Sequence, residues 1–273
     1  MSSLTVNSSV NIESKEIPIT ASPNWLKLIA NYLGKGKGHY KLFKFVTVSM
    51  TWMRGAAGKM GWAARHVTVI KEIRGASSNA ARFMCVSKAH GTFTRFVKAV
   101  KKYTYAKDVS VATEAKAAVT KEAFTLMTDL SYVLQLVQIV GIEFGKRIIT
   151  HISLVGNGSR VITDVMDGLK AKNDFFKCCK EENVAKKINN KIGIVDAKEG
   201  KRLALILLIK AVSSFALCMF SIIAIVTGTL LVSSTAMLSL VTISLVSSIW
   251  AEFYKSSMSR NLREIPTNLD EKL

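Results

Sequence analysis

The 273 residues carry 38 Lys and Arg against 19 Asp and Glu, a formal charge of +19, yet 49% of them are hydrophobic and the mean hydropathy is +0.26. A disordered basic tail would be poor in apolar residues, so that class is excluded; three prolines and sixteen glycines exclude collagen-like and Pro-rich chains. Four cysteines without a CxxC or a paired spacing point to neither a zinc site nor a disulfide framework.

Residues 1–24 are rich in Ser, Thr, Asn and Ile, with no charge before Glu13. They lack both a basic n-region and an apolar h-region, so a cleavable secretory signal is not indicated and a disordered leader is expected. Asn7 and Asn157 lie in glycosylation sequons, which cytosolic placement would leave unused.

Residues 25–107 hold seventeen of the basic residues against one acid, Glu72, so nearly all of the excess charge sits in one third of the chain. At about 100° per residue, Leu42, Phe45, Val46, Trp52, Met53, Met60, Val67 and Ile70 share an arc, with Lys41, Lys44, Arg54, Lys59 and Arg65 outside it. Gly55, Gly58 and Gly61 weaken a single helix through this stretch and allow two shorter ones. Farther on, Phe93, Phe96, Val97, Val100 and Tyr103 recur at helical spacing, with Arg95, Lys98 and Lys102 turned away from them. Basic amphipathic helices of this kind either pack on a core or lie in an anionic membrane surface.

Residues 108–202 are near charge balance and read as helical. Residues 126–142 are apolar apart from Asp129 and a few polar side chains. They are too short to cross a bilayer, which predicts a buried core helix. Gly141 and Gly145 form a GxxxG, a hint of close helix packing, and Gly156-Asn157-Gly158 predicts a turn. Asp164 and Asp167, without metal-ligand spacing, read as an exposed helix edge, and Cys178-Cys179 as two ordinary helix thiols.

Residues 203–251 decide the class. No charge occurs from 211 to 251, a run too long for one span of about 20 residues and much too long for a core helix. Two lobes, 203–226 and 230–251, folded at Thr227-Gly228-Thr229, fit it, as a hairpin that either spans or re-enters. Lys210 lies about two turns inside the first lobe, from where its stem can snorkel to the interface. Arg202, Lys210, Trp250, Tyr254 and Lys255 read as interface anchors. Basic flanks on both sides, with an uncharged loop between the lobes, predict both termini in one cytosol, the short tail 252–273 included.

No strand pattern and no internal repeat is visible, so the expected fold class is all-α: a basic amphipathic body followed by a C-terminal two-helix transmembrane hairpin. Catalytic signatures are missing. The run Gly34-Lys35-Gly36-Lys37-Gly38 matches no phosphate-loop pattern, and His39, His66, His90 and His151 are scattered without HExxH. The chain is therefore expected not to be an enzyme and to need no cofactor or metal.

The uncharged leader MSSLTVNSSVN and the bilobed apolar stretch joined at Thr227-Gly228-Thr229 resemble the inclusion membrane proteins of chlamydiae. That resemblance implies a type III secretion signal in the leader, a hairpin in the vacuole membrane, and a region exposed to the host cytosol that recruits host factors. Many members place the hairpin near the leader, whereas here it follows some two hundred residues. The order of basic amphipathic helices, central apolar helix and C-terminal apolar pair is also similar to the peroxisome-elongating peroxin family, which implies leaflet wedging by amphipathic helices.

The leading expectation is a hairpin-anchored protein whose basic body binds anionic lipids. The charge is carried by Lys41, Lys44, Arg54, Lys59, Arg65, Arg95, Lys98 and Lys102, with Trp25, Trp52, Phe93 and Phe96 as apolar contacts. The competing expectation is a scaffold docking an acidic host or cytosolic protein on the same face. Nucleic acid ranks below both, because no recognition motif accompanies the charge, and homo-oligomers stay open.

Overall fold

The computed structural model describes residue 32 and residues 36–139, 142, 144–229 and 232–261. The expected leader and Trp25 lie outside the described residues, as do Gly141 and the last part of the tail. Among the described residues there is no strand, and the fold is all-α as expected.

Six helices follow one another: α1 Gly36–Lys59, α2 Ala64–Thr104, α3 Val109–Ile139, α4 Lys146–Lys187, α5 Lys191–Thr227 and α6 Ser234–Asn261. Their ends have local causes. The helical pattern from Tyr40 onward breaks at Gly61, whose φ of +65° is open to glycine, and so resolves into two helices. Asn189, at φ +53°, turns the chain between α4 and α5, and the Asn190 side chain caps α5 by accepting from the Gly193 N–H at 3.0 Å. Gly228, at φ +70°, ends α5 in the left-handed conformation, and Thr227 Oγ1 lies 2.9 Å from Thr229 Oγ1. Thr227-Gly228-Thr229 therefore begins the connection between the two apolar helices, and the Ser233 hydroxyl accepts from Ala236 N–H to start the second.

Each helix packs on its neighbours in sequence and α1 closes on α6, which makes a ring with no contact across it among the described residues. The α4–α5 interface is the most extensive and the α1–α6 seam the least. At the seam, Lys41 Nζ donates to the Ser248 carbonyl at 3.3 Å and Trp52 Nε1 to Thr242 Oγ1 at 3.0 Å, so the two helices run antiparallel. One end of the ring thus holds the start of α1, the end of α6, Lys98, Lys102, Arg202 and Lys255. The other holds the α5–α6 tip with Arg54, Lys59 and Arg65.

The buried apolar positions are mostly small: Ala57, Ala81, Ala89, Ala115, Ala171, Ala204 and Ala211, with few large aliphatics such as Ile70, Leu136 and Leu245. Small residues let helix backbones approach closely, the arrangement favoured where no hydrophobic drive holds helices together. Large apolar side chains instead face outward; Phe83, Leu169 and Val212 are 59%, 56% and 60% exposed.

Three expectations change. Gly156-Asn157-Gly158 does not turn but lies within α4, where a Cβ on Gly156 would stand 2.0 Å from Ser131 Oγ; the glycine is there so that α3 and α4 can touch. Residues 126–139 do not form an apolar core, since Met127, Leu130 and Leu134 are exposed while Thr128, Asp129 and Ser131 are buried. Asp164 is buried and Asp167 half-buried, because both face inward rather than lining an exposed edge.

Candidate functional site: a charged interior shared by six helices

The ring surrounds a partly open cavity of about 280 Å³ to which every helix contributes polar side chains. The signal for it lies in the sequence as polar stripes at helical spacing: Lys41 and Lys44; Lys88, Thr92 and Arg95; Thr125, Asp129 and Tyr132; Arg160, Asp164 and Asp167; Lys210 and Ser214. On α4 the stripe sits opposite exposed apolar side chains, Ile148, Val155, Ile162, Val165 and Leu169.

Asp129 anchors one cluster. It is 1% exposed, with Lys88 Nζ at 2.5 Å from one carboxylate oxygen and the Thr92 hydroxyl donating to the other at 2.7 Å. Arg95 Nη2 donates to Thr92 Oγ1 at 2.8 Å within α2, and its Nε lies 3.2 Å from Glu122, a second tie between α2 and α3. A buried carboxylate needs such compensation, because an unpaired one would be too costly to keep ionised.

Arg160 anchors a second cluster. Its Nη1 donates to Tyr132 Oη at 3.2 Å and its Nε to Ser214 Oγ at 3.0 Å, while Ser214 donates to Asp164 Oδ2 at 2.5 Å. Three helices meet through this one guanidinium. Lys210 lies 3.6 Å from Asp167, which also pairs with Lys121. Lys210, in the first apolar lobe, therefore finds a carboxylate on α4.

Lys41 pairs with Glu252 at 3.8 Å. Lys44 and Lys88 both lie over the Tyr40 ring, at 5.7 and 5.3 Å from its centroid. Lys44 has no carboxylate within ion-pair distance among the described residues. Away from the cavity, near the α4–α5 turn, Lys186 and Lys201 both bond Glu182 and hold its carboxyl far below the usual range, at about 2.

The residues picked out from sequence divide accordingly. Arg54, Lys59, Arg65, Lys98 and Lys102 are exposed at the two ends of the ring, while Lys41, Lys44 and Arg95 line the interior. Trp52 and Phe93 are exposed and Phe96 half-buried; Arg202, Trp250 and Lys255 are exposed, and Tyr254 is half-buried. Tyr132 and Arg160 belong to no apolar stripe and are not marked by the sequence pattern, Asp129 stands out only as a break in an apolar helix, and Asp164 is inside the ring where an exposed edge was expected.

α5 and the 234–255 portion of α6 are each long and apolar enough to cross a membrane, consistent with a membrane protein. Comparison with known proteins finds no family model, no curated protein and no solved structure that matches the chain.

Proposed function

We propose that the protein is an integral membrane protein in which the α5–α6 hairpin and the outer flank of α4 lie in the hydrocarbon layer. The end carrying Lys98, Lys102, Arg202 and Lys255, with both chain termini, lies at the cytosolic face of an organelle or vacuole and holds anionic headgroups there. The observation that carries this reading is α4. Between Arg147 and Lys170, about 34 Å of helix, no Lys, Arg, Asp or Glu faces outward, because Arg160, Asp164 and Asp167 all turn into the cavity. That length matches a hydrocarbon thickness of about 30 Å. Each base near an anionic surface contributes about 1 kcal/mol, so the rim residues together hold that end at the headgroups.

Residence in a pathogen vacuole membrane and recruitment of host factors remain part of the proposal through the likeness of the leader and bilobed anchor to inclusion membrane proteins. Protease accessibility of tags at both ends, in intact membranes, tests the topology: both tags are expected to be cut, and protection of either overturns it. In flotation assays the purified chain is expected to reconstitute into vesicles and resist carbonate extraction. Extraction by carbonate sinks the integral-membrane reading.

A further inference from the structure

We propose that the ring's interior is a binding site for a phosphate group, free or carried as a lipid headgroup, held by Lys44, Lys88 and Arg160 with the hydroxyls of Tyr40 and Tyr132. The charge inventory carries the assignment. Lys88, Arg95, Arg160 and Lys41 each have a carboxylate, whereas Lys44 has none and Asp167 serves both Lys121 and Lys210. Burial, with Arg160 and Lys88 beside it, pushes the Lys44 ammonium below its usual range, so the interior holds its cations at a cost that an entering anion relieves. A phosphate meets that need: it accepts from several N–H and O–H donors at once, and a guanidinium beside ammonium groups is a chemistry that recognises it. Tyr132 accepts from Arg160 Nη1, which leaves the phenol proton to donate. A volume of about 280 Å³ exceeds what a halide would fill and accommodates phosphate with bridging water. The cavity is partly open to the outside, which gives a ligand access to these groups. None of this depends on membrane insertion, so the site and the topology above fail separately.

Equilibrium dialysis of the full chain in a non-ionic detergent, with inorganic phosphate against chloride of equal ionic strength, tests the site. Saturable uptake of one phosphate per chain is expected, together with a rise in thermal stability. Lys44→Gln is expected to weaken uptake by about tenfold or more, Lys44→Arg to retain it, and Lys116→Gln, at an exposed position on α3, to leave it unchanged. Dihexanoyl phosphatidic acid distinguishes the sources: displacement of phosphate assigns the site to a headgroup, and lack of displacement assigns it to the free anion. No saturable uptake above the chloride control, or equal uptake by wild type and both Lys44 variants, overturns the proposal.

Discussion

α2 and α4 are nearly the same length, 41 and 42 residues, and both mix Lys, Arg, Asp or Glu with large apolar side chains. Their outer surfaces differ. On α4 the charges of the middle section all point into the ring, and Ile148, Val155, Ile162, Val165 and Leu169 face out. On α2, Lys88 and Arg95 point in, but Lys71, Glu72, Arg82 and His90 remain outside among Ile73, Phe83, Val86 and Phe93. α4 adjoins the hairpin helix α5 through the most extensive interface of the ring, whereas α2 touches neither hairpin helix among the described residues. Average hydropathy does not separate two such helices. What separates them is the direction of each charge, and that direction follows from which neighbour supplies a counter-charge.

The largest test of that difference removes a counter-charge. Asp129→Leu leaves Lys88 buried without its acid and is expected to destabilise the chain by about 3–5 kcal/mol in denaturant unfolding. Lys88→Met combined with it is expected to recover much of the loss, because an apolar pair replaces the ion pair. Failure of the double variant to recover would mean that Asp129 acts through Thr92 alone.

Next, a charge placed outside should discriminate the two helices. Ile162→Arg on α4 is expected to impair membrane integration by roughly 2.5–3.5 kcal/mol in an insertion assay, whereas Val86→Arg on α2 should have a much smaller effect. Equal effects would erase the distinction drawn between the two flanks.

Gly156→Ala tests the close approach of α3 and α4. The new Cβ would overlap Ser131 Oγ and Cβ, at 2.0 and 2.8 Å, so a loss of about 1–3 kcal/mol is expected in thermal unfolding, partly relieved by Ser131→Gly.

The smallest effect concerns Glu182, beyond the section of α4 whose outward face carries no charge. Its carboxyl is pushed down from 4.5 to about 2 by the bonds from Lys186 and Lys201, so the folded state favours the ionised form. The stabilisation is complete above the unfolded value and lost as pH falls from about 4.5 through about 2. Protection of the amides at the α4–α5 turn, relative to their intrinsic exchange at each pH, should fall across that window in the wild type, and Glu182→Gln should flatten the acid-dependent part.

Much of the local structure was legible. Gly61 and Gly228 sit where the pattern is interrupted, and their positive φ values explain why the chain stops being helical there. The two apolar lobes appear as helices, although α5 begins at Lys191, well before the apolar run, because Asn190 caps it there. Gly156 was not legible as a helix-packing residue, since what makes it necessary is Ser131, on another helix. Asp129 and Arg160 were not legible as interior anchors for a related reason: their partners Lys88 and Ser214 lie 41 and 54 residues away in the chain.

Amino-acid order by itself determined that the chain is helical, that it folds back at Gly228, and that the basic region carries apolar and polar stripes, because these depend on propensity, glycine dihedrals and a 3.6-residue period. Only the tertiary structure decided which stripe faces inward. Periodicity separates two faces of a helix without assigning either to the interior, and here mutual ion pairing across six helices turns the polar stripes in and leaves the apolar ones outside.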